Sequence, residues 1–229
     1  MMLFKNEHTL SLMPKLFVVF SITVASSLAG YLIFTDVNDI ISWLQPFKAD
    51  GNYNRQLILI SCVLFYILRL IITTFVFLKR KFVWTEALVV AGLMSLALFS
   101  FVHIGGSRPI EINALDYSGI IVYLTGSWIN TQSEFTRHIW KRNKDHQGKL
   151  YTAGLFKYSM HINYFGDILL FTGLALITQS YSLFIIPLVM ALNFIFFVIP
   201  RLDKYLATKY GVEFTEYASR TKKLIPGIY

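Results

Sequence analysis

The residues LILISCVLFYILRLIITTFVFLKRK, at positions 57–81, decide the class of fold. Positions 57–78 are almost entirely apolar, and about 20 such residues cross the roughly 30 Å hydrocarbon core of a bilayer as one helix. Three consecutive cations at positions 79–81 end the apolar run, as cations commonly do where a helix leaves a membrane. This stretch therefore predicts a transmembrane helix that ends at a basic membrane surface.

Apolar runs on both sides of this stretch predict further spans, at residues 16–34, 84–104, 115–129, 162–178 and 182–199. The helix at 115–129 is expected to continue as a polar extension toward Lys141. Residues 37–47 are apolar but too short to cross, so we expect an interfacial, re-entrant or kinked segment there, followed by a polar loop at 48–55. The sequence thus predicts an all-α, polytopic transmembrane helix bundle of six or seven spans, built as a single integral membrane domain over residues 1–229.

The composition agrees with a membrane protein and argues against other classes. Hydrophobic residues make up 55% of the chain and charged residues 15%, against roughly 45–50% and 25% in soluble domains. The net charge of +8 is concentrated in short segments beside the spans and forms no extended basic face, so we expect no nucleic-acid partner. The single cysteine, Cys62, excludes an intrachain disulfide, and no two histidines are four residues apart, so we expect no metal site.

The positions of the cations predict the orientation, because cytosolic loops of membrane proteins carry an excess of lysine and arginine. Counting spans backward from a cytosolic tail puts every basic segment on the cytosolic side, and it puts the loops at Gly105 and Gln179 outside. We therefore expect a multi-pass integral membrane protein whose C-terminal tail lies in the cytosol. The basic segments are 79–81, 141–149 and the tail with Lys204, Lys209, Arg220, Lys222 and Lys223.

Polar residues inside an apolar span are costly, so each is a candidate functional residue. The first group is Tyr66, Arg69 and Thr73, which share one helix face at i, i+3 and i+7. An intramembrane arginine favours a functional site, but it is equally compatible with a structural arginine paired with a carboxylate or with backbone carbonyls. The residues leave both interpretations open.

Two more groups lie on either side of the basic segment at 141–149. Asn163 and Asp167 open the 162–178 span at i and i+4, with hydrogen bonding between helices as the alternative interpretation. The other group occupies one face of the predicted polar extension, with a solvated helix containing i,i+4 pairs as its alternative. Its members are Asn130, Glu134, His138 and Lys141.

The tail carries a fourth group, Glu213, Tyr217 and Arg220, at i, i+4 and i+7. The alternative for this group is an amphipathic helix that touches anionic lipid. A polar helix mouth beside a basic, aromatic tail suits a large anionic cofactor that contacts both.

In order and spacing these groups resemble the C-terminal region of the steroid 5-alpha-reductase family, over residues 115–229. The family has an asparagine, an acid four residues later and a basic residue seven further on, which in INTQSEFTRHIWKRN are Asn130, Glu134 and Lys141. It then has a GLF element, here 154–156, and an Asn-aromatic-x-Gly-acid element, here 163–167. Its ending, an aromatic helix followed by a basic stretch and Leu-Ile-Pro, is similar to Tyr205 and residues 220–226.

Upstream, LFYILRLIITTFVF is similar to the family segment that bears a substrate-facing tyrosine and a nearby arginine, and Tyr66 and Arg69 take those places. The resemblance implies seven transmembrane helices and an NADPH-dependent reductase of a carbon–carbon double bond in a lipid-like, enone or steroid-like substrate. It gives Tyr66 and Arg69 catalytic roles at the substrate carbonyl and places NADPH at the cytosolic face. The implied cofactor-binding residues are Asn130, Glu134, Lys141, Asn163, Asp167, Tyr205 and Arg220.

The chain departs from the family at the glutamate that pairs with the tyrosine. The corresponding stretch, SWLQPF, has Gln45, and Glu86 is expected to substitute only if its helix packs suitably. One alternative is an S-adenosylmethionine-dependent methyltransferase of the isoprenylcysteine carboxyl methyltransferase type, whose Arg-His-Pro signature is replaced here at 160–162 by Met-His-Ile. The other is a non-catalytic membrane protein that retains the fold. The expected partners are a lipid-like small molecule and membrane lipid, with the oligomeric state left open.

Overall fold

Helices account for most of the described part of the protein, residues 11–34 and 51–229 of the computed structural model. Two π turns, Thr73–Phe77 after α2 and Phe194–Val198 between α6 and α7, continue their helices without a break. The described residues form no β-sheet. The helices are α1 (Leu12–Phe34), α2 (Tyr53–Ile72), α3 (Trp84–Gly106), α4 (Ala114–Arg142), α5 (Ile162–Thr178), α6 (Ile185–Asn193), α7 (Ile199–Tyr210) and α8 (Val212–Arg220).

Four helical segments of the described chain are long and apolar enough to cross a membrane: Leu12–Phe34, Tyr53–Phe77, Trp84–Gly106 and Tyr181–Tyr210. Helix α5 is apolar but shorter, with 17 residues. The predicted fold class, an all-α bundle of an integral membrane protein, is confirmed.

The helices run between two ends of the bundle, named here the basic end, where Lys79–Lys81 follow α2, and the Arg55 end. The rings of Phe34 and Tyr53 lie 6.0 Å apart, so α1 ends and α2 begins at the Arg55 end. The short apolar segment expected at 37–47 lies between them, outside the described residues. At the basic end, Lys15 Nζ of α1 donates to the carbonyl oxygen of Leu78 at 2.5 Å.

Helices α4 and α5 pack with their backbones almost in contact, because glycines face each other. Gly119 and Gly126 on α4, like Gly166 and Gly173 on α5, are seven residues apart and so lie on one face. A Cβ atom on Gly126 would stand 2.5 Å from the carbonyl oxygen of Gly166. Small residues allow this close approach in membranes, and it brings the side chains beside the glycines within hydrogen-bonding distance.

Arg55 connects α2, α4 and the end of α5 at the end of the bundle away from the basic end. Its side chain is fully buried and binds the buried carboxylate of Asp116 on α4 through Nε at 2.9 Å and Nη2 at 3.0 Å. Gln179, at the end of α5, donates to the same carboxylate at 2.5 Å. The remaining Arg55 donors bind the backbone carbonyl oxygens of Arg108, Ile110 and Glu111.

The expectation that Arg55 ends a polar loop is therefore wrong, because the residue lies in the first turn of α2 and is 0% exposed. Mean hydropathy is an average over a segment. It does not distinguish a charged residue that faces water from one that is buried against a partner carboxylate.

Replacing Gly126 with alanine is expected to destabilise the protein, because the added methyl group meets backbone atoms that have little freedom to move. Overpacking of this kind costs about 1–3 kcal/mol, which thermal unfolding in detergent will detect. Gly92→Ala is the matched control: nothing lies within 4 Å of its added Cβ, and alanine favours a helix over glycine by about 1 kcal/mol. A Gly126→Ala protein as stable as the Gly92→Ala protein would contradict the close contact.

Candidate functional site

Arg69 links α2 to α5 inside the bundle. It lies one turn beyond Tyr66 on the buried face of α2 and is 8% exposed. Its Nη2 atom is 3.0 Å from Oδ1 of Asp167, and its guanidinium carbon is 5.4 Å from the centre of the Tyr66 ring. The structure thus brings together the predicted groups that contain Arg69 and Asp167. If Arg69 has a structural role, Asp167 is the carboxylate that pairs with it.

The pairing with Asp167 leaves part of the Arg69 guanidinium without a partner. Its Nε and Nη1 atoms are buried and make no hydrogen bond, whereas all three nitrogen atoms of Arg55 are hydrogen-bonded. A buried donor without a partner costs about 1–3 kcal/mol. An oxygen atom placed beside Arg69 would recover that free energy, so Arg69 is suited to bind a ligand and Arg55 is not.

The hydroxyl group of Tyr66 is held only weakly. It donates to the Sδ atom of Met94 on α3 at 3.7 Å, and a thioether sulfur is a weak acceptor. The ring packs edge-on against Phe171 at 5.7 Å and the residue is 6% exposed. Packing therefore fixes the ring while the hydroxyl remains able to donate to a better acceptor.

Asn130, Glu134 and Asn163 form a second polar group between α4 and α5. The Asn163 side chain donates to Oε1 of Glu134 at 3.0 Å, and the Asn130 side chain donates to the carbonyl oxygen of Asn163 at 3.0 Å. Glu134 also forms an ion pair with Arg137. Asn163 lies one turn before Asp167 on α5, so the two polar groups form one line from the basic end into the bundle.

Two other predicted cofactor residues lie at the basic end: Lys141 near the end of α4, and Tyr205 on α7. Nζ of Lys141 is 3.4 Å from the hydroxyl oxygen of Tyr210, and Nζ of Lys209 is 3.3 Å from that of Tyr205. Partial loss of hydration, followed by repulsion from Arg137 and Lys209, lowers the pKa of Lys141 to about 8. At this end of the site, the positive charges of Lys141, Arg137 and Lys209 repel one another.

The fourth predicted group has a mixed outcome. Tyr217 is 4% exposed and donates to the carbonyl oxygen of Phe156 at 2.5 Å, and Glu213 accepts from the backbone amide of Leu150. This face of α8 packs on the protein, in contrast to the lipid-contact alternative. Arg220, predicted to bind the cofactor, is exposed in the last turn of α8 and takes no part in the polar line.

Glu86 does not replace the glutamate that the resemblance pairs with Tyr66. It lies in the first turn of α3 and forms an ion pair with Arg80. The hydroxyl of Tyr66 faces Met94, eight residues further along the helix, a rise of about 12 Å. The other candidate, Gln45, lies outside the described residues.

Sequence reasoning missed a contact that fixes the start of α5. Nε2 of the buried His161 lies 2.8 Å from Oδ1 of Asp203 on α7, and the backbone amides of Met160 and His161 donate to the carbonyl oxygens of Lys222 and Lys223. No local pattern marks Asp203, which is 42 residues from His161. Arg137 was also missed, although its i,i+3 spacing from Glu134 was a usable signal.

A search of curated proteins found no match. The model of one protein family, described as Protein of unknown function (DUF1295), matches residues 65–221. That range covers more than half of the chain and includes Tyr66, Arg69 and every predicted cofactor residue. The chain therefore belongs to the DUF1295 family.

Proposed function

We propose that this protein is a membrane-embedded, NADPH-dependent reductase of a carbon–carbon double bond in a lipid-like enone. One observation carries the proposal: the guanidinium of Arg69, with two unpartnered nitrogen atoms, lies against the ring of Tyr66, whose hydroxyl is weakly held. This pair stands at the inner end of a polar line that starts at the basic end. A buried arginine with free donors inside a membrane protein favours a functional site over a structural one.

The residues at the basic end fit a dinucleotide. From Asn130 to Lys141 the rise along α4 is about 16 Å, comparable to the length of an extended dinucleotide. Lys141 and Arg137 supply cations for phosphate groups, and Asn130 and Asn163 supply amides. In this proposal the basic end is cytosolic, which gives the site access to cytosolic NADPH. Tyr205 and the exposed Arg220 would contact the outer part of the cofactor.

The acidic residues have a supporting role in this proposal. Glu134 and Asp167 are already bound to arginines, so they orient Arg137 and Arg69 and do not themselves bind phosphate. This differs from the direct cofactor contacts that the resemblance implies for both acids. It also removes the repulsion that two free carboxylates would exert on an anionic ligand.

The chemistry needs one hydride and one proton. NADPH, when bound, supplies the hydride for the β-carbon of the enone. Tyr66 gives its proton to the carbonyl oxygen as negative charge develops there, and Arg69 stabilises the same charge. The resulting enol tautomerises to the saturated ketone, and solvent returns a proton to Tyr66 after the product leaves. Asp167 holds Arg69 in place, and the surrounding helices exclude water from the reacting atoms.

Asn163→Ala is expected to weaken NADPH binding about tenfold, the scale of a lost hydrogen bond to a charged group, while the protein stays folded. Calorimetry in detergent measures the affinity, and thermal unfolding checks the fold. Asn54→Ala, an exposed asparagine at the Arg55 end, should bind normally. The proposal fails if the wild-type protein binds S-adenosylmethionine and gives no response to NADPH.

Tyr66→Phe is expected to lower turnover by roughly 100-fold or more, the usual scale for a lost general acid. NADPH affinity should persist, and stability should change by about 1 kcal/mol or less, because the lost hydrogen bond to Met94 is weak. NADPH oxidation with a panel of enone lipids, measured beside thermal unfolding, tests both statements. Unchanged turnover in a folded Tyr66→Phe protein removes this residue from the mechanism.

Arg69→Lys is expected to affect mainly turnover, and Arg55→Lys mainly stability. Lysine keeps a charge beside Asp167 but loses the planar set of donors, so Arg69→Lys should mainly lower turnover. Arg55→Lys breaks several of five hydrogen bonds and should lower the free energy of unfolding by at least about 2 kcal/mol. Turnover per folded molecule should then be unchanged. An Arg69→Lys protein that loses only stability would assign Arg69 a structural role.

A further inference from the structure

A small cavity of about 60 Å³ lies at the basic end, between the end of α4, the segment at 150–160, α7 and α8. Its volume is that of roughly two water molecules, which also suits one tetrahedral oxyanion. Its polar walls are the side chains of Arg137, Lys141, Tyr151, Tyr210 and Tyr217.

The charge around this cavity is positive. Arg137 and Lys141 line it, and Lys209 lies behind one wall with its Nζ atom 5.5 Å from the centre of the Tyr210 ring. Among the described charged groups that act on Lys141, Glu134 is the one acid, and it is already paired with Arg137. Lys141 forms no ion pair among the described residues, so an anion in the cavity would meet its positive charge.

Hydroxyl donors complete the cavity. The Tyr210 hydroxyl lies 3.4 Å from Nζ of Lys141, so both groups can reach one oxygen atom, and the Tyr151 side chain forms another wall. The Tyr217 hydroxyl is used by the Phe156 carbonyl and serves only as structure. Hydrogen bonds between a cation and a phosphate are stronger than those between neutral groups, and the hydroxyl donors add further hydrogen bonds to the same phosphate.

We propose that this cavity binds a phosphomonoester dianion, and that in the proposed reductase this is the 2′-phosphate that distinguishes NADPH from NADH. The residues that line the cavity support the binding of a phosphomonoester. The assignment of that phosphate to NADPH rests on the proposed function. The cavity stands at the opposite end of the polar line from Arg69, so the phosphate end of the dinucleotide is held far from its reacting end. A phosphomonoester lipid headgroup has the same chemistry and is the second source to test.

Matched ligand pairs test the proposal by calorimetry at pH 7. NADPH should bind at least about tenfold tighter than NADH, and 2′,5′-ADP tighter than 5′-AMP by a similar factor, the scale of a charge-assisted hydrogen bond. Lys141→Gln and Tyr210→Phe should reduce these preferences, because they should weaken NADPH binding more than NADH binding. Lys144→Gln, a lysine of the same basic segment that does not line the cavity, is the control. Equal affinities for NADPH and NADH in the wild type would overturn the inference and leave the reductase proposal standing.

The pH dependence gives a second readout. The pKa of Lys141 is lowered to about 8, and a phosphomonoester is already a dianion there because its second pKa is about 6. The preference for NADPH should thus be greatest between these two values, near pH 7, and decline as the pH rises through about 8 or falls through about 6. Lys141→Arg should keep the preference at the higher pH. The titratable and charged groups that surround Lys141 are Glu134 and Arg137 on α4, Lys209 and Tyr210 on α7, Tyr217 on α8 and Tyr151 in the preceding segment.

Nanodiscs separate the two sources of phosphate. If Lys141-dependent binding requires phosphatidate in place of phosphatidylcholine and neither dinucleotide binds, the phosphomonoester site stands and the reductase proposal falls. If neither the nucleotide pairs nor the two lipids are distinguished by the wild-type protein, the cavity does not recognise phosphate.

Discussion

The close contact between the backbones of α4 and α5 determines the arrangement of the candidate site. Lipid offers no hydrophobic force to drive two helices together, so packing and polar contacts between them must do so. With hydrogen atoms as the only side chains at Gly126 and Gly166, the helices come near enough for Asn130 and Asn163 to bond across the interface. Larger residues at these glycines would separate the two halves of the polar line.

Two arginines are buried in the described part of the bundle, and they show two ways of carrying a charge inside a membrane protein. Arg55 has every nitrogen bonded and connects α2, α4 and the end of α5, so it acts as a permanent link. Arg69 has one carboxylate partner and two unpartnered nitrogen atoms. The same fold that satisfies the first arginine leaves the second with unpartnered donors, and the two lie at different ends of α2.

The bounds of the helices were predictable because hydropathy and length are local properties, although α4 and α5 are not among the four described segments that are long and apolar enough to cross. The helix expected at 162–178 is α5, and the polar extension expected to reach Lys141 ends at Arg142. The pairings were not predictable, because they join residues far apart in the chain: Asp167 is 98 residues from Arg69. Local spacing identified Asp167 as a functional candidate but could not choose its partner from several cations. The cofactor roles of all the predicted residues, and the catalytic roles of Tyr66 and Arg69, stay predictions.

The length of α5 has a consequence for the membrane itself. Its 17 residues rise about 26 Å, less than the roughly 30 Å of a typical hydrocarbon core. A helix that is too short for its bilayer is accommodated by local thinning. If α5 crosses the membrane, such thinning would bring the headgroups and water closer to its start, where Asn163 lies. Hydrophobic mismatch at this helix would then make the depth of the candidate site below the headgroups depend on bilayer thickness. Bilayer thickness would in turn affect how easily a polar ligand and a lipid meet there.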